Sequence, residues 1–233
     1  MSKPIVVLVH GAFAESASWN GVISRLEERG VTAIAVANPL RSLDGDAAYV
    51  RDVVSSIGGP VVLAGHSYGG QVITQAAGGN EAVKGLVYVS AFAPETGESA
   101  LELTGKFPGS TLSDAVVPRP LTAGGVELSI ETAKFAQQFA ADVDPAVAAL
   151  MAATQRPVAE AALTAGLVGA PAWRSVPSWH LWGGADRNIP AEAMRFMAER
   201  AGAVTAEQIA GAGHALTVSQ AGPVADAILR AAA

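Results

Sequence analysis

The sequence predicts an α/β protein built on a doubly wound, mostly parallel sheet of about six strands with an inserted helical cap. Short runs rich in β-branched residues alternate with longer helical patterns through the first ninety residues, and the same rhythm returns after residue 174. Strands that crossover helices cover on both faces have this continuous apolar character. The length of 233 residues suits a single domain.

Strands and helices follow one another in a regular order along the chain. We predict strands over residues 5–9, 32–36, 61–64, 84–89, 178–182 and 204–209. We predict helices over residues 21–29, 44–57, 71–77, 191–201 and 224–232. Gly30 ends the first helix, and the run Gly58-Gly59-Pro60 ends the second, because neither residue type continues a helix well.

The alternation stops between Ala91 and Arg174. Glycine and proline are scattered through residues 94–125, and Ala-rich helical stretches follow Ser129. Because a structureless loop of about eighty residues is implausible inside a compact domain, we predict that this segment folds. Residues 1–90 and 175–233 then form the α/β core, and residues 91–174 form a mostly helical cap over the site.

Composition excludes several classes of function. The formal net charge is −6 and no basic run occurs, so the phosphate backbone of a nucleic acid is not an expected partner. The chain has no cysteine, which removes disulfides, thiolate zinc ligands and a cysteine nucleophile. We expect no metal and no cofactor. The sequence leaves the oligomeric state open.

The N-terminal segment imitates a secretory signal. Lys3 precedes the apolar run Ile5–Val9, but this run has only five residues before His10, and a signal core needs roughly 7 to 15. We therefore expect a cytoplasmic protein, with export as the alternative. No stretch approaches the roughly 18 apolar residues of a membrane span, so no membrane is an expected partner.

The run Gly65-His66-Ser67-Tyr68-Gly69 is the candidate nucleophile turn. It matches the pattern G-x-S-x-G between a predicted strand and a predicted helix, which is the context that gives the pattern meaning. Such a turn holds the serine in a strained conformation above the sheet, beside the N–H groups of the new helix. The alternative is a Gly-rich turn whose serine merely caps the helix.

A serine nucleophile needs a neutral imidazole to take its proton, and His214 is the candidate. His214 lies in a Gly-rich loop after the last predicted strand, where catalytic groups are common. His10 and His66 belong to the turn motifs themselves, and we interpret His180, inside a strand, as a packed core residue.

Asp186 is the candidate third member of the triad. It follows the predicted strand 178–182 at the edge of the sheet where sites in open α/β sheets form, and it lies between serine and histidine in chain order. The alternative is an aspartate that caps the turn before Ile189-Pro190. We interpret Asp142 and Asp144, in the insertion, as helix caps.

Two backbone N–H groups are candidates for an oxyanion hole. Tyr68 directly follows the nucleophile, and Ala12 lies in the loop after the first strand, where we favour it over Phe13. The alternative is a plain turn with no catalytic role. The side chains of Phe13 and Phe92 are candidates to line a substrate pocket, although buried aromatic residues commonly belong only to the core.

These motifs together resemble the α/β-hydrolase superfamily, and within it small esterases similar to plant methyl-ester esterases and hydroxynitrile lyases. The resemblance spans nearly the whole chain and depends on four segments: His10–Phe13, Gly65–Gly70, Trp182–Asp186 and Gly213-His214. It implies the short version of the α/β-hydrolase fold. Related lyases have Thr in place of Gly11 and Lys in place of Ala215, so the resemblance favours hydrolysis.

We therefore predict a carboxylic-ester hydrolase that cleaves a small, largely apolar substrate through an acyl-enzyme on Ser67. Thioester hydrolysis, lactone opening and acyl transfer use the same three residues and stay open. A lyase or an oxidative cleavage enzyme is a second alternative. A binding protein of this fold that retains the triad without turnover is the third.

Overall fold

The structure, a computed structural model, describes residues 3–233. It contains nine strands within those residues: β1 (Ile5–Val9), β2 (Ala33–Val36), β3 (Val61–His66), β4 (Val83–Val89), β5 (Val116–Pro120), β6 (Val126–Ile130), β7 (Val158–Ala159), β8 (Ser178–Gly183) and β9 (Thr205–Ile209). Six of them form one sheet in the spatial order β2-β1-β3-β4-β8-β9, and every neighbouring pair is parallel. The predicted fold class is confirmed.

Helices connect the strands. They are α1 (Asn20–Glu28), α2 (Leu43–Ile57), α3 (Tyr68–Ala76), α4 (Ala100–Gly105), α5 (Thr132–Phe139), α6 (Pro145–Thr154), α7 (Glu160–Thr164), α8 (Ala191–Arg200), α9 (Leu216–Ser219) and α10 (Ala221–Ala231). The strands and helices that the sequence predicts begin and end within three residues of the observed ones. Across residues 3–233, no helix is both long and apolar enough to cross a membrane.

Two apolar clusters cover the two faces of the sheet. Side chains of β1 alternate between them: Val7 and Val9 belong to one cluster, whereas Val6 and Leu8 belong to the other. Helices α2, α3 and α8 contribute to the first cluster, and α1 and α10 contribute to the second. Each fully buried Val or Leu contributes roughly 1.5–3 kcal/mol. Burial on both faces explains why these strands are continuously apolar.

The segment between β4 and β8 holds α4 to α7 and a second, antiparallel sheet in the order β5-β6-β7. The sequence predicts a mostly helical cap over residues 91–174; this small sheet lies in the same segment, and the sequence does not predict it. Its edge strand β5 contains Pro118 and Pro120, which are tolerated only at an edge because proline donates no ladder hydrogen bond. Strand β7 has only two residues, too few to leave a sequence pattern.

The order of the strands defines where a site forms. The chain passes from β1 outward to β2, then returns to the other side of β1 as β3. The loops that leave the carboxyl ends of β1 and β3 therefore diverge to opposite faces, and they open a crevice between them. Ala12 follows β1 and Ser67 follows β3, so both residues lie at this crevice.

Candidate active site

Ser67 occupies a sharp turn between β3 and α3. Its backbone angles are φ 54° and ψ −124°, a conformation that non-glycine residues rarely adopt. The strain costs on the order of 1–3 kcal/mol and persists only where the surroundings enforce it. The neighbouring glycines permit the tight packing around this turn: a Cβ on Gly65 would lie 2.5 Å from the carbonyl oxygen of Gly69, and a Cβ on Gly69 would overlap the carbonyl oxygen of Val9.

His214 and Asp186 form a buried pair beside this turn. His214 Nδ1 lies 2.7 Å from Asp186 Oδ2, and both side chains are almost wholly inaccessible. The second carboxylate oxygen, Oδ1, accepts the backbone N–H groups of Asn188 at 2.8 Å and Ile189 at 3.0 Å. Asp186 thus caps its own turn and also contacts the imidazole of His214, so the turn-cap and the histidine contact occur together.

The Asp186 contact determines which tautomer His214 adopts. A carboxylate accepts hydrogen bonds, so the proton of a neutral His214 stays on Nδ1 and leaves Nε2 as an acceptor. His214 and Ser67 line the same cavity. The hydroxyl of Ser67 makes no hydrogen bond within the described residues. In sites without substrate, such catalytic hydrogen bonds are often long and tighten only when the substrate binds.

His66 has a role that sequence reasoning missed. Its Nε2 lies 3.0 Å from the carbonyl oxygen of His214, and because a carbonyl only accepts, Nε2 carries the proton. Burial holds the pKa of His66 well below its usual range, so the ring stays neutral. His66 therefore fastens the backbone of the loop that carries His214. The only sequence signal for this role is that His66 directly precedes the candidate nucleophile Ser67.

The other two histidines are also buried and neutral. Burial lowers the pKa of His10 to about 4 and the pKa of His180 to about 3. The ring of His180 stacks on Tyr88, with centroids 4.4 Å apart, as expected of a packed core residue.

The backbone N–H groups of Ala12 and Tyr68 have no acceptor among residues 3–233. The N–H of Phe13, by contrast, donates to the carbonyl oxygen of Arg156 at 3.1 Å. Gly11 brings the loop of Ala12 against the nucleophile, because a Cβ on Gly11 would lie 2.6 Å from Ser67 Cβ and 3.2 Å from the nitrogen of Tyr68. Two unused N–H donors therefore lie beside Ser67.

The Tyr68 side chain lies among buried groups of α2. Its hydroxyl donates to Asp46 Oδ2 at 2.9 Å, and the backbone N–H of Arg41 donates to Asp46 Oδ1 at 3.2 Å. Burial raises the pKa of Asp46. This buried hydrogen bond ties the first residue of α3 to α2.

A cavity of about 600 Å³ opens above Ser67. Six of the seven predicted site residues line it: Ala12, Phe13, Ser67, Tyr68, Phe92 and His214. The seventh, Asp186, lies behind His214. Most of the other walls come from the inserted segment and are apolar, among them Leu101, Phe107, Leu112, Val116, Pro118, Leu128 and Leu163. Glu160 is the one carboxylate among the described lining residues, and none of them is Lys or Arg.

A polar network joins the insertion to the loop of Asp186. Gln138 on α5 donates through Nε2 to the carbonyl oxygen of Arg187 at 2.9 Å and to Asn188 Oδ1 at 2.8 Å. The hydroxyl of Thr111 donates to Gln138 Oε1 at 2.9 Å, and that of Ser110 donates to the carbonyl oxygen of Asn188 at 2.9 Å. No local pattern predicts these contacts, because they join residues far apart in the chain.

The two aspartates of the insertion that were predicted to cap a helix, Asp142 and Asp144, behave differently from each other. Asp144 caps α6 by accepting the N–H groups of Ala146 and Val147, as predicted. Asp142, for which a cap was also predicted, caps nothing: its carboxylate lies beside Gly213 and has no hydrogen-bond partner among the described residues.

The alpha/beta hydrolase family matches residues 6–227, and the chain belongs to this family. Among solved structures, polyneuridine aldehyde esterase has a TM-score of 0.84 at 21% identity, and the match covers 98% of this chain and 99% of that one. The methylesterase MES16 from Arabidopsis has a TM-score of 0.80 at 16% identity, with 97% of this chain and 98% of that one covered. At these identities the likeness concerns the fold.

Sequence relatives match a shorter part of the chain. The alpha/beta hydrolase nvfD from Aspergillus novofumigatus is 34% identical over 125 residues, which cover 46% of this chain and 49% of that protein. The carbendazim hydrolyzing esterase from a Nocardioides species is 33% identical over 113 residues, which cover 43% and 47%. The chain thus spans about half the length of the curated relatives that it matches.

Proposed function

We propose that this protein hydrolyses carboxylic esters of small, largely apolar substrates through an acyl-enzyme on Ser67. The observation that carries the proposal is that Ser67 and His214 line one cavity and that Asp186 pairs with His214 behind it, each residue following a different strand. A serine, an imidazole and a buried carboxylate in this relation define an acyl-transfer site whatever the order of the residues in the chain.

The proposed reaction has two halves. Ser67 Oγ attacks the ester carbonyl carbon while His214 Nε2 takes its proton, and the N–H groups of Ala12 and Tyr68 stabilise the negative oxygen of the tetrahedral intermediate. The intermediate collapses, the alcohol leaves with the proton from His214, and the acyl group stays on Ser67. A water molecule then loses a proton to His214, attacks the acyl carbon and releases the acid, with the proton returned to Ser67.

Two positions favour hydrolysis over cyanohydrin cleavage. Threonine, which related lyases have in place of Gly11, would not fit, because a Cβ there would lie 2.6 Å from Ser67 Cβ. The position after His214 is the buried Ala215, which offers no cation for a leaving cyanide. The name of the Nocardioides relative, carbendazim hydrolyzing esterase, also supports ester hydrolysis.

The cavity supports the proposed substrate class. Its volume of about 600 Å³ suits a small molecule, and its walls are mainly apolar. The single carboxylate, Glu160, and the net charge of −6 disfavour an anionic substrate. Thioester hydrolysis and lactone opening would use the same groups. We also propose a cytoplasmic location.

The proposal is tested with p-nitrophenyl acetate and with a panel of alkyl esters, thioesters and lactones whose products are identified. Ser67→Ala removes the nucleophile, so kcat is expected to fall by at least about 10⁴-fold. Ser55→Ala, which changes an exposed serine on α2, is the matched control and should retain wild-type turnover. Wild-type turnover in Ser67→Ala, or products other than an acid and an alcohol, would refute ester hydrolysis at this site.

A further inference from the structure

A second cavity of about 500 Å³ lies beside the first. It is formed by the loop at residues 13–21, by one face of α6, by Gln155 and by Val218 of α9. The side chains that α6 contributes include Val147, Leu150 and Met151, and Leu150 is 68% exposed. This cavity is therefore largely apolar and reaches the surface, and nothing in the proposed reaction uses it.

Among residues 3–233, Phe13 is the one that lines both cavities. Its side chain is buried and packs edge-on against Phe139, with ring centroids 6.5 Å apart. Its backbone has φ 61°, in the left-handed region, which is unfavourable for any residue other than glycine. Its N–H donates to the carbonyl oxygen of Arg156. The backbone and the ring of Phe13 are thus both held in place between the two cavities.

From this geometry we propose that Phe13 is a partition that limits the length of the apolar chain the site accepts. The inference rests on the proposed function. Because Phe13 lines both the cavity of Ser67 and the second cavity, a substrate chain bound at Ser67 and pointing toward Phe13 would meet this residue before the second cavity. We call the cavity above Ser67 the reaction cavity. With the ring of Phe13 in place, this cavity ends at Phe13, so substrate chains that would extend beyond Phe13 are excluded. Phe13 therefore selects short esters, and the second cavity is an apolar subsite that opens when the ring is removed.

The test compares Phe13→Ala with the wild type over two series of esters. One series lengthens the acyl chain of p-nitrophenyl esters from acetate to dodecanoate, and the other lengthens the alcohol of alkyl acetates from ethyl to dodecyl. The wild type should lose kcat/KM with length in the series whose chain points toward Phe13. In Phe13→Ala, the ratio of kcat/KM for long over short chains should rise at least about tenfold in the series whose chain points toward Phe13.

Two further variants test whether the gain for long chains depends on opening the second cavity or only on enlarging the reaction cavity. Phe92→Ala removes a ring that lines only the reaction cavity, and it should not raise the ratio for long chains. Adding Met151→Trp to Phe13→Ala refills the second cavity and should abolish the gain. An unchanged ratio in Phe13→Ala, an equal gain in Phe92→Ala, or a gain that survives Met151→Trp would overturn the inference.

The two proposals fail in distinguishable ways. If the wild type hydrolyses p-nitrophenyl acetate and Ser67→Ala does not, the proposed function stands, and an unchanged chain-length profile refutes only the partition. If the wild type hydrolyses no ester of either series, the proposed function itself fails.

Discussion

The two carboxylate oxygens of Asp186 make different contacts. Oδ1 accepts the N–H groups of Asn188 and Ile189, and Oδ2 holds His214 Nδ1 at 2.7 Å. The two backbone donors fix the orientation of the carboxylate, and the carboxylate fixes the orientation and tautomer of the imidazole. Either Asp or Asn could accept the backbone N–H groups of this turn. Only the carboxylate of Asp can also accept the Nδ1 proton of His214.

This division predicts the result of Asp186→Asn. The backbone N–H groups of residues 188 and 189 would keep the amide oxygen at the Oδ1 position, so the NH₂ group would face His214 Nδ1. His214 would then carry its proton on Nε2 and would not accept one from Ser67. We expect kcat for p-nitrophenyl acetate to fall by about 10³–10⁴-fold with a smaller change in KM.

Asp144→Asn is the matched control for this prediction. Asp144 caps α6, and asparagine caps a helix as well as aspartate does, so turnover should stay at the wild-type level. A kcat in Asp186→Asn within tenfold of the wild type would show that Asp186 does not set the tautomer.

At the scale of elements, the position of Ser67 before α3 depends on contacts on both sides of its turn. Gly65 and Gly69 permit the close approach of strand and helix, and the Tyr68 hydroxyl fastens the first turn of α3 to Asp46 on α2. Asp46 is fully buried, and two of the groups bound to its carboxylate are the hydroxyl of Tyr68 and the N–H of Arg41.

Tyr68→Phe should therefore destabilise the protein. The change leaves Asp46 Oδ2 buried without its donor, and a buried group left unsatisfied costs about 1–3 kcal/mol. Urea unfolding at neutral pH measures the loss. Tyr49→Phe, on the same helix α2 but 37% exposed, is the control and should change the free energy of unfolding by less than about 0.5 kcal/mol. Equal stability of Tyr68→Phe and the wild type would contradict the proposed role of this hydrogen bond.

Most of the fold and of the candidate site can be predicted from the sequence, because the alternation of strands and helices and the G-x-S-x-G turn are local signals. Ser67, Asp186 and His214 each follow a readable strand, so their meeting at one edge follows from a parallel sheet. The contacts of His66 with the His214 carbonyl and of Gln138 with Asn188 join distant segments and leave no local pattern. The sheet β5-β6-β7 escaped prediction because prolines interrupt β5.

For the whole molecule, three buried histidines link stability to pH. Burial lowers the pKa of His10 to about 4, of His180 to about 3 and of His66 well below its usual range. In the unfolded chain these rings titrate near the ordinary value of about 6.5. Below that pH the unfolded state binds more protons than the native state, so stability falls with decreasing pH until the folded pKa is reached.

We expect the free energy of unfolding to fall between pH 6 and pH 5 by about 1 kcal/mol for each of His10, His66 and His180. Urea titrations at the two pH values measure this slope. His180→Gln, which removes one titrating ring, should reduce the slope by about 1 kcal/mol per pH unit, although it also lowers stability at every pH. An unchanged slope in this variant would show that His180 is not neutral in the folded protein.

The central claim, that Ser67 is the nucleophile of an acyl-transfer site, is tested most directly by covalent phosphorylation with diethyl p-nitrophenyl phosphate. The proposed site should release one p-nitrophenolate per chain, and mass spectrometry of the digested protein should locate a single diethylphosphoryl group on Ser67. Asp186→Asn should react much more slowly, and Ser67→Ala should not react. Failure of the wild type to take up the label, or a label on any residue other than Ser67, would contradict the account.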